Sequence, residues 1–315
     1  MPDDPSADLT VLIVSYNTRA LTLKCLETLY ANTRARFRTI VVDNASQDGS
    51  AEAIAARFPQ VMLIASAKNL GFAAANNLAA ARARSDWLLL LNPDTETYPG
   101  GVDALLAFSK ANPQAGITGG RTYYPDGSLN PYSCSARLTL WSTACRASGL
   151  AAAFPRSPLF NPEAYGGWQR DSARRVDIVV GCFLMIRRSL WDQLGGFDLR
   201  YFMYGEDYDL CLRAGRLGYR PMLCPEAKIM HLVGASTTLR ARRHILVAKS
   251  RVSLIHDHWH PALVPLGVAL TWLWGALRTA AALSRAVLRR HPSSRESAAQ
   301  WREIWRARRS WLQPY

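Results

Sequence analysis

The sequence predicts a doubly wound α/β fold on a mostly parallel sheet, followed by a C-terminal helical extension. Three observations predict it. Continuous apolar runs of strand length alternate with helix-period segments through the first half of the chain, the connections between them are short, and three of the runs end in polar residues. Those ends are Tyr16-Asn17, Asp43-Asn44 and Asn92-Pro93-Asp94. In a sheet of this kind ligands bind at the carboxyl ends of the strands, so three polar ends on one edge mark the place to look for a site.

The first run, LTVLIV at 9 to 14, reads as a buried parallel strand, and Leu21, Cys25, Leu26 and Leu29 continue at helical spacing. Phe37 to Val42 is the second strand, and Ser46, Asp48, Gly49 and Ser50 form a loop and cap for a helix at 51 to 58. Val61 to Ala65 is a third strand, 73 to 84 an alanine-rich helix, and Asp86 to Leu91 a fourth strand. A helix over 99 to 111 and a strand over 115 to 124 follow. Residues 125 to 175 are rich in Pro, Gly, Ser and Arg with isolated aromatics, and read as a long insertion of the kind that carries binding work. Val176 to Ile186 predicts a strand at the far side of the sheet. Tyr219 to Leu223 and Lys228 to Leu232 predict two short strands, with His231 at the end of the second.

Between them lies the most informative stretch, residues 195 to 219. A glycine turn leads through Tyr201, Phe202, Met203 and Tyr204 to Glu206, Asp207 and Asp209 at the start of an amphipathic helix. Acids in a first helical turn complement the positive end of the dipole. Set against an aromatic wall, a carboxylate also gains a raised pKa and serves as a general base.

Composition narrows the classes. The chain has 315 residues, 49% hydrophobic and 20% charged, which is globular. A net charge of +14 and a pI near 9.9 point to an anionic partner. The six cysteines form no CxxC pair and read as small buried hydrophobes in a reducing compartment. The acidic start, MPDDPSADLT, does not read as a signal peptide, which places the catalytic part in the cytoplasm. Neither GxGxxG nor GxxxxGK[ST] occurs, so a nucleotide would be held by side chains such as Asp43.

Seven segments occur in one order: IVSYN (13 to 17), VVDNASQDGS (41 to 50), NLGFAAANN (69 to 77), LLLNPD (89 to 94), GGFD (195 to 198), YGEDYDLCLR (204 to 213) and PEAKIMHLVGAS (225 to 236). Together they resemble the inverting glycosyltransferases of family 2, close to the bacterial rhamnosyltransferase branch. The resemblance implies a GT-A fold over residues 1–240, with a nucleotide-sugar half at 9–124 and an acceptor half at 125–240 that carries the catalytic base. It implies that Asp43 hydrogen-bonds the pyrimidine of a dTDP- or UDP-sugar, with Tyr16, Asn17, Asn69 and Gly71 around the nucleotide. Asp94 matches the second acid of the DxD metal motif and His231 a metal-ligating histidine, for Mg²⁺ or Mn²⁺. Asn92 stands where many relatives have the first Asp, leaving one carboxylate fewer. Asp207 matches the catalytic base, with Glu206 beside it. The expected acceptor is a glycan, and the apolar tail motivates one linked to a polyprenyl diphosphate.

The last region, 241–315, is helical, apolar and basic. Residues 243 to 260 read as a helix; its His256 and His260 share a face, but Pro261 and the want of a third ligand argue against a metal there. Residues 262 to 277 carry no charge, and 262 to 283 add only Arg278, nearly enough to span a bilayer. Residues 284 to 315 hold eight arginines against two glutamates, and one span would carry that basic tail outside. A re-entrant or interfacial hairpin on the cytoplasmic leaflet is therefore expected, with Trp301, Trp305 and Trp311 at headgroup depth and the arginines on anionic lipid. A buried core or dimer helix is the other reading of 262 to 283, and a non-catalytic basic protein that binds RNA or membrane is the other reading of the whole. No RNA-binding motif organises the charge, and no nucleic-acid partner is expected.

Overall fold

The computed structural model describes residues 7–232, 240–289 and 291–315. The first six residues of the acidic start and positions 233–236 of the last motif lie outside the described residues.

Helices and strands alternate as predicted. Strand β1 (Leu9–Ser15) leads to α1 (Arg19–Asn32), β2 (Phe37–Asp43) to α2 (Ser50–Arg57), and β3 (Met62–Ala65) to α3 (Gly71–Ala80). Then come β4 (Trp87–Leu91), β5 (Thr95–Thr97), α4 (Gly101–Ala111) and β6 (Ile117–Tyr123). Short strands β7 (Leu129–Asn130) and β8 (Cys134–Ser135) precede α5 (Leu140–Ser148) and α6 (Leu150–Ala153). After β9 (Arg174–Arg175), β10 (Ile178–Val179) and β11 (Phe183–Arg187) follow α7 (Arg188–Leu194), α8 (Glu206–Arg216) and β12 (Met222–His231). Four helices close the chain: α9 (Arg240–His258), α10 (Val264–Arg289), α11 (Pro292–Arg306) and α12 (Arg308–Trp311).

The chain divides into two compact units. The first comprises the described residues up to Ser135 and from Gln169 to Leu232; the second comprises Ala136–Trp168 and the described residues from 240 onward. The middle of the long insertion thus clusters with the C-terminal helices.

The first unit is a mixed α/β domain. Its sheet runs β3-β2-β1-β4-β11-β6-β12-β5, with β7 on β6 and β9 on β12. Strands β3, β2, β1 and β4 are parallel, and every residue of β1 and β4 is buried, as strands covered on both faces require. The structure corrects three details. The 176 to 186 run is not one strand at the far side: β10 leaves the main sheet to pair with β8, and β11 lies antiparallel between β4 and β6 in the middle. The two short strands near 219 to 232 are one strand, β12, with a register shift between Cys224 and Lys228. Strand β5 has no apolar run to announce it, yet pairs Thr95 with His231.

The second unit is helical. Helix α5 starts on a reciprocal cap, in which Thr139 Oγ1 accepts from the Ser142 N–H and Ser142 Oγ from the Thr139 N–H. Arg251 of α9 reaches Glu163 through two hydrogen bonds of 2.6 and 3.0 Å. Trp259 donates to the Leu138 carbonyl at 3.0 Å. Both contacts hold the 136–168 segment to α9. Residues Pro261–Arg289 are long and apolar enough to cross a membrane, and only 33% of their most apolar window is buried. The expected tryptophan belt is corrected. Trp311 is wholly buried and donates to the Ile304 carbonyl, and Trp301 packs on Trp274 and His244. They fill the unit's core because α11 and α12 turn their indoles inward onto α9 and α10.

Candidate active site

The end of β2 places Asp43 at the sheet's carboxyl edge, 3% exposed. One oxygen, Oδ2, accepts from the Ser46 N–H at 3.1 Å; the other, Oδ1, is buried without a partner. Asn17, at φ +51°, accepts from the Gln47 N–H and donates its own N–H to Ser46, so it braces the loop that Asp43 anchors. Tyr16 beside it stays exposed. Asn44 then ties β2 to the start of α3. Its Oδ1 accepts from the Leu70 N–H, and its amide donates to Asn69 Oδ1 and the Gly71 carbonyl. Asn69 Oδ1 also accepts from the Gly71 N–H at 2.9 Å.

The second cluster follows β4. Asp94 is buried and His231 largely so, with Oδ1 and Nε2 3.2 Å apart. The Leu232 N–H donates to the Asp94 carbonyl, so the end of β12 is fixed on the Asp94 loop. Burial pulls the His231 pKa down, but Cys182 and the Asp94 carboxylate outweigh it and push it up to about 10. Asn92 Oδ1 is buried and unpaired. Among the described residues no three His, Cys, Asp or Glu side chains are arranged to hold a metal. A divalent ion still fits here: Mg²⁺ takes one or two carboxylates and completes its shell with substrate phosphates and water, and Asn92 leaves an oxygen free.

The third cluster is the first turn of α8. Gly205, at φ +93°, turns the chain into the helix, and Glu206, Asp207 and Asp209 are all buried. Asp207 Oδ2 accepts from the Gly181 N–H at 3.0 Å and Oδ1 from the Tyr208 N–H at 2.9 Å. Burial raises its pKa, and those amides hold the rise in check. Glu206 rises further, through burial and then the Asp207 charge, and its Oε2 has no partner. Asp209 is spoken for by Arg213 at 2.7 Å, which makes it structural.

Backbone contacts bring the clusters to one edge. The Asn92 N–H donates to the Cys182 carbonyl, next to the glycine that holds Asp207. Gly71, at φ +80°, lies so close to the chain before α8 that a Cβ there would stand 2.5 Å from the Phe202 carbonyl oxygen. The Phe72 N–H donates to that same oxygen. Asn77 grips the GGFD turn twice, donating to the Phe197 carbonyl and accepting from its N–H, and Arg213 donates to the Leu194 and Gly196 carbonyls. Gly181, Asn77 and Arg213 do not emerge as site residues from the sequence. Asn77 and Arg213 lie inside recognised motifs, whereas Gly181 carries no signal. A groove of about 510 Å³ lined by Arg19, Ser46, Gln47 and the face of α2 opens on the flank of the Asp43 loop, and neither Asp94 nor Asp207 lines it.

The family model described as glycosyl transferase family 2 matches residues 10–194, which includes every segment around Asp43 and Asp94. The chain belongs to glycosyl transferase family 2. A second model, glycosyl transferase family group 2, matches 162–299 and so takes in Asp207 and His231. Among relatives of this family 2 chain is an N-acetylglucosaminyl-diphospho-decaprenol L-rhamnosyltransferase of Mycobacterium tuberculosis, 33% identical over 249 residues, covering 75% of this chain and 80% of the relative. An O-antigen biosynthesis protein of Myxococcus xanthus is 26% identical over 81% of this chain, which spans 19% of that protein. The fold is that of a Pyrobaculum calidifontis mannosyltransferase solved with GDP-mannose and Mn²⁺, with TM-score 0.59, 18% identity, and coverage of 98% of this chain and 88% of the other. It is also that of GalNAc-T7 solved with UDP, GalNAc and Mn²⁺, with TM-score 0.58, 15% identity, and coverage of 82% and 49%.

Proposed function

We propose that this family 2 transferase moves L-rhamnose from dTDP-rhamnose to a polyprenyl-diphosphate-linked glycan, with inversion, at the cytoplasmic face of the membrane. The observation that carries the chemistry is the Asp207 carboxylate, buried, raised in pKa and aimed by the Gly181 N–H. The rhamnosyl donor and lipid-linked acceptor come from the Mycobacterium relative, whose name states both the sugar and the acceptor.

Asp207 takes the proton of the acceptor hydroxyl as that oxygen bonds to the anomeric carbon and the bond from that carbon to the diphosphate breaks. Such a base contributes about 10²- to 10⁴-fold. One displacement with one base inverts the anomeric centre. Asp43 Oδ1 takes the N3–H of the pyrimidine, which would satisfy its unpaired oxygen. Asn69 and Gly71 shape the loop beside the nucleotide, and Tyr16 and Asn17 its other wall. Asp94 and His231, with Asn92 near, would hold Mg²⁺ or Mn²⁺, which would stabilise charge on the leaving diphosphate.

Thymine and uracil share that N3–H, so a UDP-sugar is the second reading for the donor. Purified protein with a diphospholipid-linked N-acetylglucosamine and each donor decides it. We expect dTDP release from dTDP-rhamnose, dependent on Mg²⁺ or Mn²⁺. Faster UDP release from a UDP-sugar would transfer the assignment to that donor.

A further inference from the structure

Helix α10 has two unlike faces within the second unit. One is committed to its neighbours. A Cβ on Gly267 would stand 2.6 Å from the Trp259 ring, and one on Gly275 3.0 Å from Trp311, so both glycines are sites of close packing. Thr271 and Thr279 are buried on the same face, each with its hydroxyl donating to the carbonyl one turn back. The other face is open. Leu266, Ala269, Trp272, Leu273, Leu277 and Ala280 recur at helical spacing and are all exposed, Leu266 and Leu277 by nearly half. No charge interrupts them, and at 1.5 Å per residue they run for about 20 Å. An uncharged exposed stripe of this length marks a contact with something apolar.

The surroundings say what covers it. Trp272 of the stripe touches Trp305 of α11, with ring centroids 5.6 Å apart, and the Arg308 guanidinium lies 5.0 Å over Trp305. Arg295, Arg302 and Arg306 of α11 and Arg309 of α12 are exposed. Apolar stripe, tryptophan and arginine therefore follow one another across one surface, the order of acyl chain, interface and phosphate in an anionic leaflet. A twofold contact between copies through this stripe would set basic surfaces against each other.

We infer that α10 is an in-plane membrane anchor: its exposed stripe enters the acyl region of an anionic leaflet while the arginines of α11 and α12 meet the phosphates. It does not span, because spanning would strip the Gly267, Thr271, Gly275 and Thr279 face from its partners. This deepens the membrane-side reading above and rests on it only for the choice of leaflet.

The test is flotation of the full chain with phosphatidylcholine vesicles, with and without phosphatidylglycerol, at low and physiological salt. Wild type floats with the anionic vesicles and is released by salt or by alkaline carbonate. Leu273→Asp with Leu277→Asp, both at exposed positions, weakens binding by about tenfold or more. Arg302→Gln with Arg306→Gln weakens it only on anionic vesicles and flattens the salt dependence. Both double variants keep nucleotide release with a short water-soluble acceptor, a readout that judges the transferase assignment separately. Unchanged flotation of the Asp variant overturns the anchor, as does retention of wild type after carbonate. So does a dimer that becomes monomer in the Asp variant with no change in flotation.

Discussion

Glu206 and Asp207 are neighbours in one turn of α8, and their surroundings give them different work. Glu206 has an oxygen with no partner, and burial and then the Asp207 charge raise its pKa, so it holds its proton to higher pH than a free carboxyl. Asp207 is raised less freely because two amides solvate it, so it ionises before Glu206, as the base role proposed above requires. Replacing Asp207 with Asn should lower turnover by about 10²- to 10⁴-fold and leave donor binding, measured by calorimetry, nearly unchanged. The acid limb of kcat/KM should lie above about 4, the ordinary carboxylate value, since the base must be ionised and its pKa is raised. For Glu206 the sign is the opposite of a salt-bridged acid's. The unfolded chain ionises near about 4.3 while the folded one holds the proton, so stability falls as pH rises through the interval between the two values. Glu206→Gln should remove that loss, and melting curves of the two proteins should diverge with increasing pH. Asp207 was legible because its motif is local. Gly181 was not, since a glycine amide 26 positions away acts through a distance that only folding sets.

At the scale of elements, the approach to α8 is held by α3. Asn77 pairs with both backbone groups of Phe197, and Gly71 admits the Phe202 carbonyl. Asn77→Ala leaves a buried donor and acceptor unmet and should cost about 1–3 kcal/mol in denaturant unfolding. It should also slow turnover more than it weakens nucleotide binding, because what shifts is the approach to α8 rather than the β2 edge. Gly71→Ala demands a positive φ of an alanine and a contact no backbone tolerates, and should be worse on both counts. Most of the elements were legible from apolar periodicity. Strand β5 was not, because its pairing with β12 owes nothing to its own hydrophobicity, and neither was the central place of β11, because an apolar run does not say which neighbours it has.

At the scale of the molecule, the long insertion belongs with the C-terminal helices. Burial pushes the Glu163 carboxyl up, but Arg251 outweighs it and holds it below the usual range, so the pair is ionised. Arg251→Ala would leave a partly buried carboxylate without this partner and should lower stability by about 1–3 kcal/mol. Hydrogen exchange should then speed up across 136–168 and leave the amides of β1 and β4 protected. From the sequence alone came the alternation that makes a doubly wound sheet and the family, and the proposed acids Asp43, Asp94 and Asp207 stand in the short contiguous patterns that carry it. Tertiary structure alone decided that β5 pairs with β12, that a glycine amide bonds Asp207, that Trp311 is core, and which side of α10 is left bare. The physical reason is the same in each case: partners far apart in the chain are chosen by packing and by the pairing of buried polar groups, and neither leaves a local mark.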